Sequence, residues 1–273
     1  MKRRLVAITA IACLGVAGVA YGAGPVTAGP NSYSGEFAVS GAAGTVKKPV
    51  AVAMTETLGM TSTTAGNVGA PLTEIKTTTY GLRAPYAKYF PRCTVGRISA
   101  NNGNNGKWNA VCPKGSLVAR GTVNAALVSP AANLAGPGAP CHLGLWVYNG
   151  GPGKLTFFFT TTPQQCAGNA TGAAAPWQGT IRQAGKYLIT DVPEPADVSY
   201  NAANVGLFGS LQSEVLKFTR LTVKRGKKVY PYIESVGCRK HTRPYTITYT
   251  ATESPTGSPT VGSGTVSGTA NCR

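Results

Sequence analysis

Six cysteines, Cys93, Cys112, Cys141, Cys166, Cys238 and Cys272, follow an N-terminal segment built like a secretion leader. No other feature constrains the chain as much. An even set of cysteines in an exported chain reads as a framework of disulfides rather than as a catalytic set. No Cys-x-x-Cys spacing occurs, so a zinc site is not expected. Turn-rich segments lie between neighbouring cysteines. The run Asn101-Asn102-Gly103-Asn104-Asn105-Gly106, between Cys93 and Cys112, is the clearest, because Asn and Gly tolerate positive φ. Pairing in sequence order, Cys93 with Cys112, Cys141 with Cys166 and Cys238 with Cys272, lets the chain fold back at little loop cost. Each bridge would contribute about 3–4 kcal/mol in the loop-entropy picture.

The leader starts Met1-Lys2-Arg3-Arg4 and continues with an apolar run from Leu5 to about Ala20. A basic start, a short apolar stretch and small residues near Gly22 and Ala23 are the pattern of a cleaved signal peptide. Residues 1–23 are therefore expected to be removed, with a later cut after Ala28 as an alternative. The apolar run is shorter than the ~20 residues a bilayer span needs, and glycines interrupt it. No second such run follows, so no integral membrane span is expected and the product should be secreted. Cys13 lies inside the leader, where Ala10-Ile11-Ala12-Cys13 only faintly matches a lipoprotein cleavage box.

The remaining residues, 24–273, suffice for one large all-β domain. The stretch Ser129 to Pro140 (SPAANLAGPGAP) could separate two lobes. Leu, Ile, Val and Phe are scarce, so disulfides and tyrosines must supplement a thin apolar core. Short alternating or apolar segments recur: Phe37 to Val39, Val50 to Met54, Leu72 to Thr77, Ser116 to Val128, Leu143 to Tyr148, Leu155 to Thr160 and Tyr187 to Thr190. Gly, Pro and Asn clusters separate them, the signature of an antiparallel β-sandwich of jelly-roll or immunoglobulin-like type. Tyr245 and Tyr249 share one face of another strand, Pro244 to Tyr249. Leu221 to Tyr230 reads as a hairpin with a tight basic turn. Thr252 to Gly268 reads as a long surface loop or hairpin. Only Leu207, Phe208, Leu211 and Val215 are spaced like one helix face.

Side chains for catalysis are few. The chain has two histidines and nine carboxylates. His142 adjoins Cys141, and His241 sits in Arg239-Lys240-His241-Thr242-Arg243 with no acidic neighbour in sequence to orient it. Neither a Gly-x-Ser-x-Gly elbow nor a His-Glu-x-x-His helix occurs. Asp191, Glu194 and Asp197 cluster in Asp191-Val192-Pro193-Glu194-Pro195-Ala196-Asp197. They could serve glycoside hydrolysis or hold calcium, but two prolines make the segment read as a solvated loop. No cofactor and no metal is expected.

Net charge is +17, and +14 once the three basic leader residues are removed. Charge of this sign speaks to partners and solubility rather than fold. The densest basic region comprises Lys217, Arg220, Lys224, Arg225, Lys227, Lys228, Arg239, Lys240 and Arg243, interleaved with Tyr230, Tyr232 and Tyr245. Such a surface could grip carboxylate or phosphate polymers while tyrosine rings stack on sugars. Lysines on a hairpin also protect a sheet edge from aggregation, which is the simpler reading. Export argues against nucleic acid as partner. Tyr86 and Tyr89 form a second aromatic group, either a carbohydrate platform or the lid of a core. Asn169-Ala170-Thr171 matches a glycosylation sequon.

Pro91-Arg92-Cys93, Val111-Cys112-Pro113, the stretch from Lys114-Gly115-Ser116 to Gly121-Thr122-Val123, and Leu221-Thr222-Val223 to Gly237-Cys238 together make a pattern. It resembles secreted, cysteine-containing β-rich proteins of high-GC Gram-positive bacteria (actinobacteria), over roughly residues 35–273. The resemblance implies export and a β-rich fold, and no activity. The expectation is a monomeric, secreted or cell-surface binding or structural protein without a catalytic centre, its ligand an anionic or carbohydrate envelope polymer. The alternative is a secreted hydrolase built from Asp191, Glu194 or His142.

Overall fold

The computed structural model describes residues 21–22, 24–100, 111–129, 134–162, 165–166, 175–195, 198, 207–252 and 260–272. Of the expected leader only Tyr21 and Gly22 are described, and the Asn-Gly run at 101–106, the sequon and Asp197 lie outside the described residues.

The chain is all-β and antiparallel. Its strands are β1 (Tyr21–Gly22), β2 (Val26–Ala28), β3 (Asn31–Ser40), β4 (Val50–Ala51), β5 (Ala53–Ser62), β6 (Leu72–Tyr80) and β7 (Leu82–Arg83). The middle of the chain adds β8 (Leu117–Val128), β9 (Ala139–Gly151), β10 (Lys154–Thr160), β11 (Trp177–Ala184) and β12 (Tyr187–Pro193). Then follow β13 (Phe208–Phe218), β14 (Thr222–Arg225), β15 (Lys228–Pro231), β16 (Glu234–Ser235), β17 (Thr242–Thr252) and β18 (Thr260–Asn271). A short helix, α1 (Val95–Ala100), and a 3-10 turn at Ala87–Tyr89 interrupt the β structure.

Thirteen strands form a single sheet in the order β1-β18-β17-β6-β12-β11-β10-β9-β8-β13-β5-β3-β2. Its two ends approach each other, with β18 against β2 and β3, so the sheet nearly closes into a barrel. This corrects the sandwich expected from sequence. Local alternation is the same in both architectures. What separates them is pairing between strands distant in sequence, such as β8 with β13 and β6 with both β12 and β17.

Side chains pack against one another inside the barrel. Tyr249 on β17 stacks on Tyr33 of β3 with ring centroids 4.7 Å apart, and its hydroxyl donates to Ser34 O at 2.6 Å. Gly35 makes room for this approach, because a Cβ there would lie 2.7 Å from Ile247 Cδ1. Each fully buried Phe, Leu or Ile contributes about 1.5–3 kcal/mol of hydrophobic stabilisation. A small second cluster, Cys93, Ile98, Tyr148 and Phe158, lies where α1 packs on β9 and β10.

The three disulfides are Cys93–Cys112, Cys141–Cys166 and Cys238–Cys272. The segment Ser129 to Pro140 joins β8 to β9, which pair with each other from Leu117↔Tyr148 to Leu127↔Ala139. The spacing that read as helical at Leu207 to Val215 falls on β13, a strand. Its inward positions include Ser210 and Glu214, so apolar alternation is broken there. Of the stretch Thr252 to Gly268, read from sequence as a long surface loop or hairpin, the part from Thr260 belongs to the long strand β18 (Thr260–Asn271), paired with β17.

Candidate functional site

The basic hairpin forms as its sequence implies. β14 and β15 pair antiparallel, with Arg225 opposite Lys228, around a turn in which Gly226 adopts φ +60°. It belongs to neither the barrel nor the small sheet formed by β4, β16 and β7. Lys224, Arg225, Lys227 and Lys228 are exposed.

The hairpin docks on the second aromatic group. The Tyr230 ring lies 5.0 Å from that of Tyr86 and 4.6 Å from that of Tyr89, and Tyr86 stacks on Tyr89 at 6.0 Å. Arg225 Nη2 donates to Tyr89 O at 2.8 Å, and Lys88 Nζ stands 5.2 Å from the Tyr89 ring centroid. Two features separated by well over a hundred residues thus make one surface, with three half-buried tyrosines surrounded by exposed cations.

Asn149 holds the tyrosine turn to the barrel. Its buried Nδ2 donates to Ala87 O, Phe90 O and Pro91 O at 3.1, 3.2 and 2.9 Å. Its Oδ1 accepts from Gly151 N–H and from the Tyr232 hydroxyl. The adjacent backbone of Cys93 donates to Asn149 O at 2.9 Å, so the first disulfide sits beside this anchor.

Two residues expected on the ligand surface are instead interior. Tyr232 is 1% exposed, packs on Phe90 and bonds to Asn149. Arg243 is also 1% exposed. Its guanidinium donates to Tyr80 O at 2.6 Å, Ser235 Oγ at 2.8 Å and Cys272 Sγ at 3.1 Å. Burial lowers its pKa to about 10. Tyr232 lies in a short irregular stretch where alternation does not say which side is inner, whereas Arg243 shares the inward parity of Tyr245, Ile247 and Tyr249 on β17 and its charge alone suggests the surface. Tyr245 likewise faces the barrel interior. Lys217 projects from β13 beside Arg120 of β8, and Arg220 follows that strand, both exposed. Arg239, Lys240 and His241 occupy an exposed turn before β17, in which Lys240 and His241 adopt positive φ.

The hydrolase candidates are not brought together. Asp191 sits on the outer face of β12, 4.0 Å from Lys76 Nζ. Burial, and then neighbouring Asp191, raise the Glu74 carboxyl pKa. Glu194, just past β12, points the other way and lines a cavity in the barrel. His142 is exposed on β9, its Nδ1 2.7 Å from Asn124 Oδ1.

That cavity also receives Glu56 of β5 and Glu214 of β13, which the sequence reading passed over. Glu56 is hydrogen-bonded by Thr77, across the lumen on β6. Burial pushes its carboxyl up to about 7 against that bond, and pushes Glu194 to about 8. Glu214 is raised well above its ordinary value, by burial and then by the nearby charges of Glu56 and Glu194. A signal existed in the sequence. Glu56 shares its parity with Met54, Leu58 and Met60, and Glu214 with Leu216 and Phe218, so each occupies an inward register.

No protein-family profile, curated protein or solved structure matches the chain. Among the described residues no helix is long and apolar enough to cross a membrane.

Proposed function

We propose that this is a secreted or cell-surface binding protein, without a catalytic centre, that holds acidic envelope polysaccharide on the face made by the β14–β15 hairpin and the Tyr86–Tyr89 turn. The observation that carries the reading is the docking of Tyr230 on both Tyr86 and Tyr89, with Arg225 tied to Tyr89 O. Acidic sugars offer a carboxylate to lysine and an apolar ring face to tyrosine, and this surface presents both partners side by side. Fixing the rings in advance lowers the ordering cost of binding. The competing hydrolase reading has less support, because Asp191 and Glu194 project from opposite faces of the barrel wall and His142 stands apart from both.

Retention of the purified chain on polygalacturonate, teichoic-acid and neutral glucan columns tests the proposal. Retention on the acidic columns should fall steeply with salt, since exposed charges are screened beyond ~8 Å at physiological ionic strength. Replacing Lys224, Lys227 and Lys228 by Ser should remove most of it, with Arg225 kept because it anchors the hairpin. Equal retention of this variant, or none of the wild type at low salt, would leave the hairpin as a solvated edge only.

A further inference from the structure

The three disulfides sit in different surroundings. Cys112 is half-buried, but its partner Cys93 is fully buried in the apolar cluster with Ile98, Tyr148 and Phe158. Cys141 and Cys166 are both buried, and the Thr161 hydroxyl lies 3.3 Å from Cys166 Sγ. The third bridge joins a half-buried Cys238 to a buried Cys272, and Arg243 Nη2 donates to Cys272 Sγ at 3.1 Å.

Three other acceptors fix the guanidinium against that sulfur. Nη1 donates to Tyr80 O and Gly237 O at 2.6 and 3.3 Å, and Nη2 donates also to Ser235 Oγ at 2.8 Å. Burial lowers the Arg243 pKa only to about 10, so the group is charged at neutral pH. A bridged sulfur is a weak acceptor, whereas a thiolate beside a guanidinium is stabilised. The cation therefore matches the charge that Cys272 carries once the bridge opens. Attack on Cys112 would instead expel Cys93 as a thiolate into an apolar cluster, which is disfavoured.

The more accessible sulfur of the third bridge adjoins cations. Cys238 is followed directly by Arg239, Lys240 and His241, all exposed. Their turn is closed by Arg239 N–H to Thr242 O at 2.8 Å and by Thr242 N–H to Arg239 O at 3.0 Å. Cys272 N–H donates to His241 O at 3.0 Å, which ties the end of β18 to the same turn. Exposed cations draw in anionic reactants.

We infer that Cys238–Cys272 is a thiol-exchange site that takes a small anionic thiol. The entering thiolate bonds to Cys238 Sγ as the Cys238–Cys272 bond breaks. The electron pair of that bond departs on Cys272 Sγ, beside Arg243. One disulfide replaces another, no proton moves, and the negative charge passes from the entering sulfur to Cys272. A thiol of lowered pKa leaves faster and is in turn a weaker nucleophile, so the adduct on Cys238 forms readily and persists.

The test is reaction of the folded full chain with 2-mercaptoethanesulfonate, quenched with iodoacetamide and mapped by mass spectrometry. The adduct should appear on Cys238 and the alkylated sulfur on Cys272, with this bridge opening roughly tenfold or more ahead of the other two. Arg243→Gln should slow the reaction about tenfold. A merely structural arginine predicts the reverse, since a loosened fold would open all three bridges faster. The R239S/K240S double variant should slow the anionic thiol and leave the rate with neutral 2-mercaptoethanol as it is. The Lys224, Lys227, Lys228 to Ser variant should exchange as the wild type does, so failure of the polysaccharide reading and failure of this one are separate results. An adduct on Cys272, earlier opening of another bridge, an R243Q rate equal to or above that of the wild type in folded protein, or an unchanged anionic-thiol rate in R239S/K240S would each overturn the inference. Should R243Q not fold, the position of the adduct and the order of opening in the wild type decide alone.

Discussion

The carboxamide of Asn149 makes five hydrogen bonds from a fully buried position, four of them to backbone groups. Asn149→Ala would strand several of those groups away from water, at about 1–3 kcal/mol for each left unsatisfied. Loss of at least ~2 kcal/mol in urea unfolding is expected, together with loosening of Tyr86 and Tyr89 and weaker retention on acidic columns. The lumen glutamates act on stability through pH. Their folded pKa values lie above the ordinary 4.5, at about 7 for Glu56 and about 8 for Glu194. A carboxyl that prefers its proton when folded gives stability that is full below the unfolded value and is lost as pH rises through the folded one. Thermal midpoints should therefore be highest near pH 4–5 and fall as pH rises through 7 and 8, with the raised Glu214 adding to the fall. E56Q should flatten that slope, and an unchanged slope would contradict the assignment. None of this was legible from composition, since a lone Glu reads as a surface residue unless the parity of its strand is followed.

At the scale of elements, the hairpin depends on one backbone conformation. Gly226 has φ +60°, and a side chain in the left-handed region costs about 1–2 kcal/mol. G226V should therefore disorder the β14–β15 turn and weaken retention on acidic columns. The global melting temperature should hardly move, because the hairpin lies outside the barrel sheet. A large fall in that temperature would show that the hairpin supports the barrel. This element was legible in sequence, because its turn is short, polar and glycine-centred. So was β17, whose tyrosines keep strict alternation. By contrast β13 was obscure, since Ser210 and Glu214 stand where apolar residues would mark the inner face. β18 was obscure for another reason. Its Ser, Gly and Thr residues carry little hydrophobic signal, and Gly264 is needed where a Cβ would meet the Tyr33 ring.

At the scale of the molecule, non-reducing peptide mapping should recover three crosslinks in sequence order, and a peptide joining Cys112 to Cys141 would contradict the structure. That pairing was readable because each bridge closes a local loop of 19, 25 or 34 residues. Barrel against sandwich was not readable, because closure rests on contacts among β2, β3 and β18 at opposite ends of the chain. Those contacts bear on timing during synthesis. β3 ends at Ser40 and its facing strand begins at Thr260, roughly 220 residues later. At ~5–20 residues per second a ribosome takes on the order of ten to forty seconds to cover that interval. Until Tyr249 is made, shortly before, Tyr33 has no ring to stack on, and until β18 follows β2–β3 wait with one side uncovered. The nascent chain must therefore stay incompletely folded for most of its synthesis, and its two ends can be joined only when nearly all of it exists.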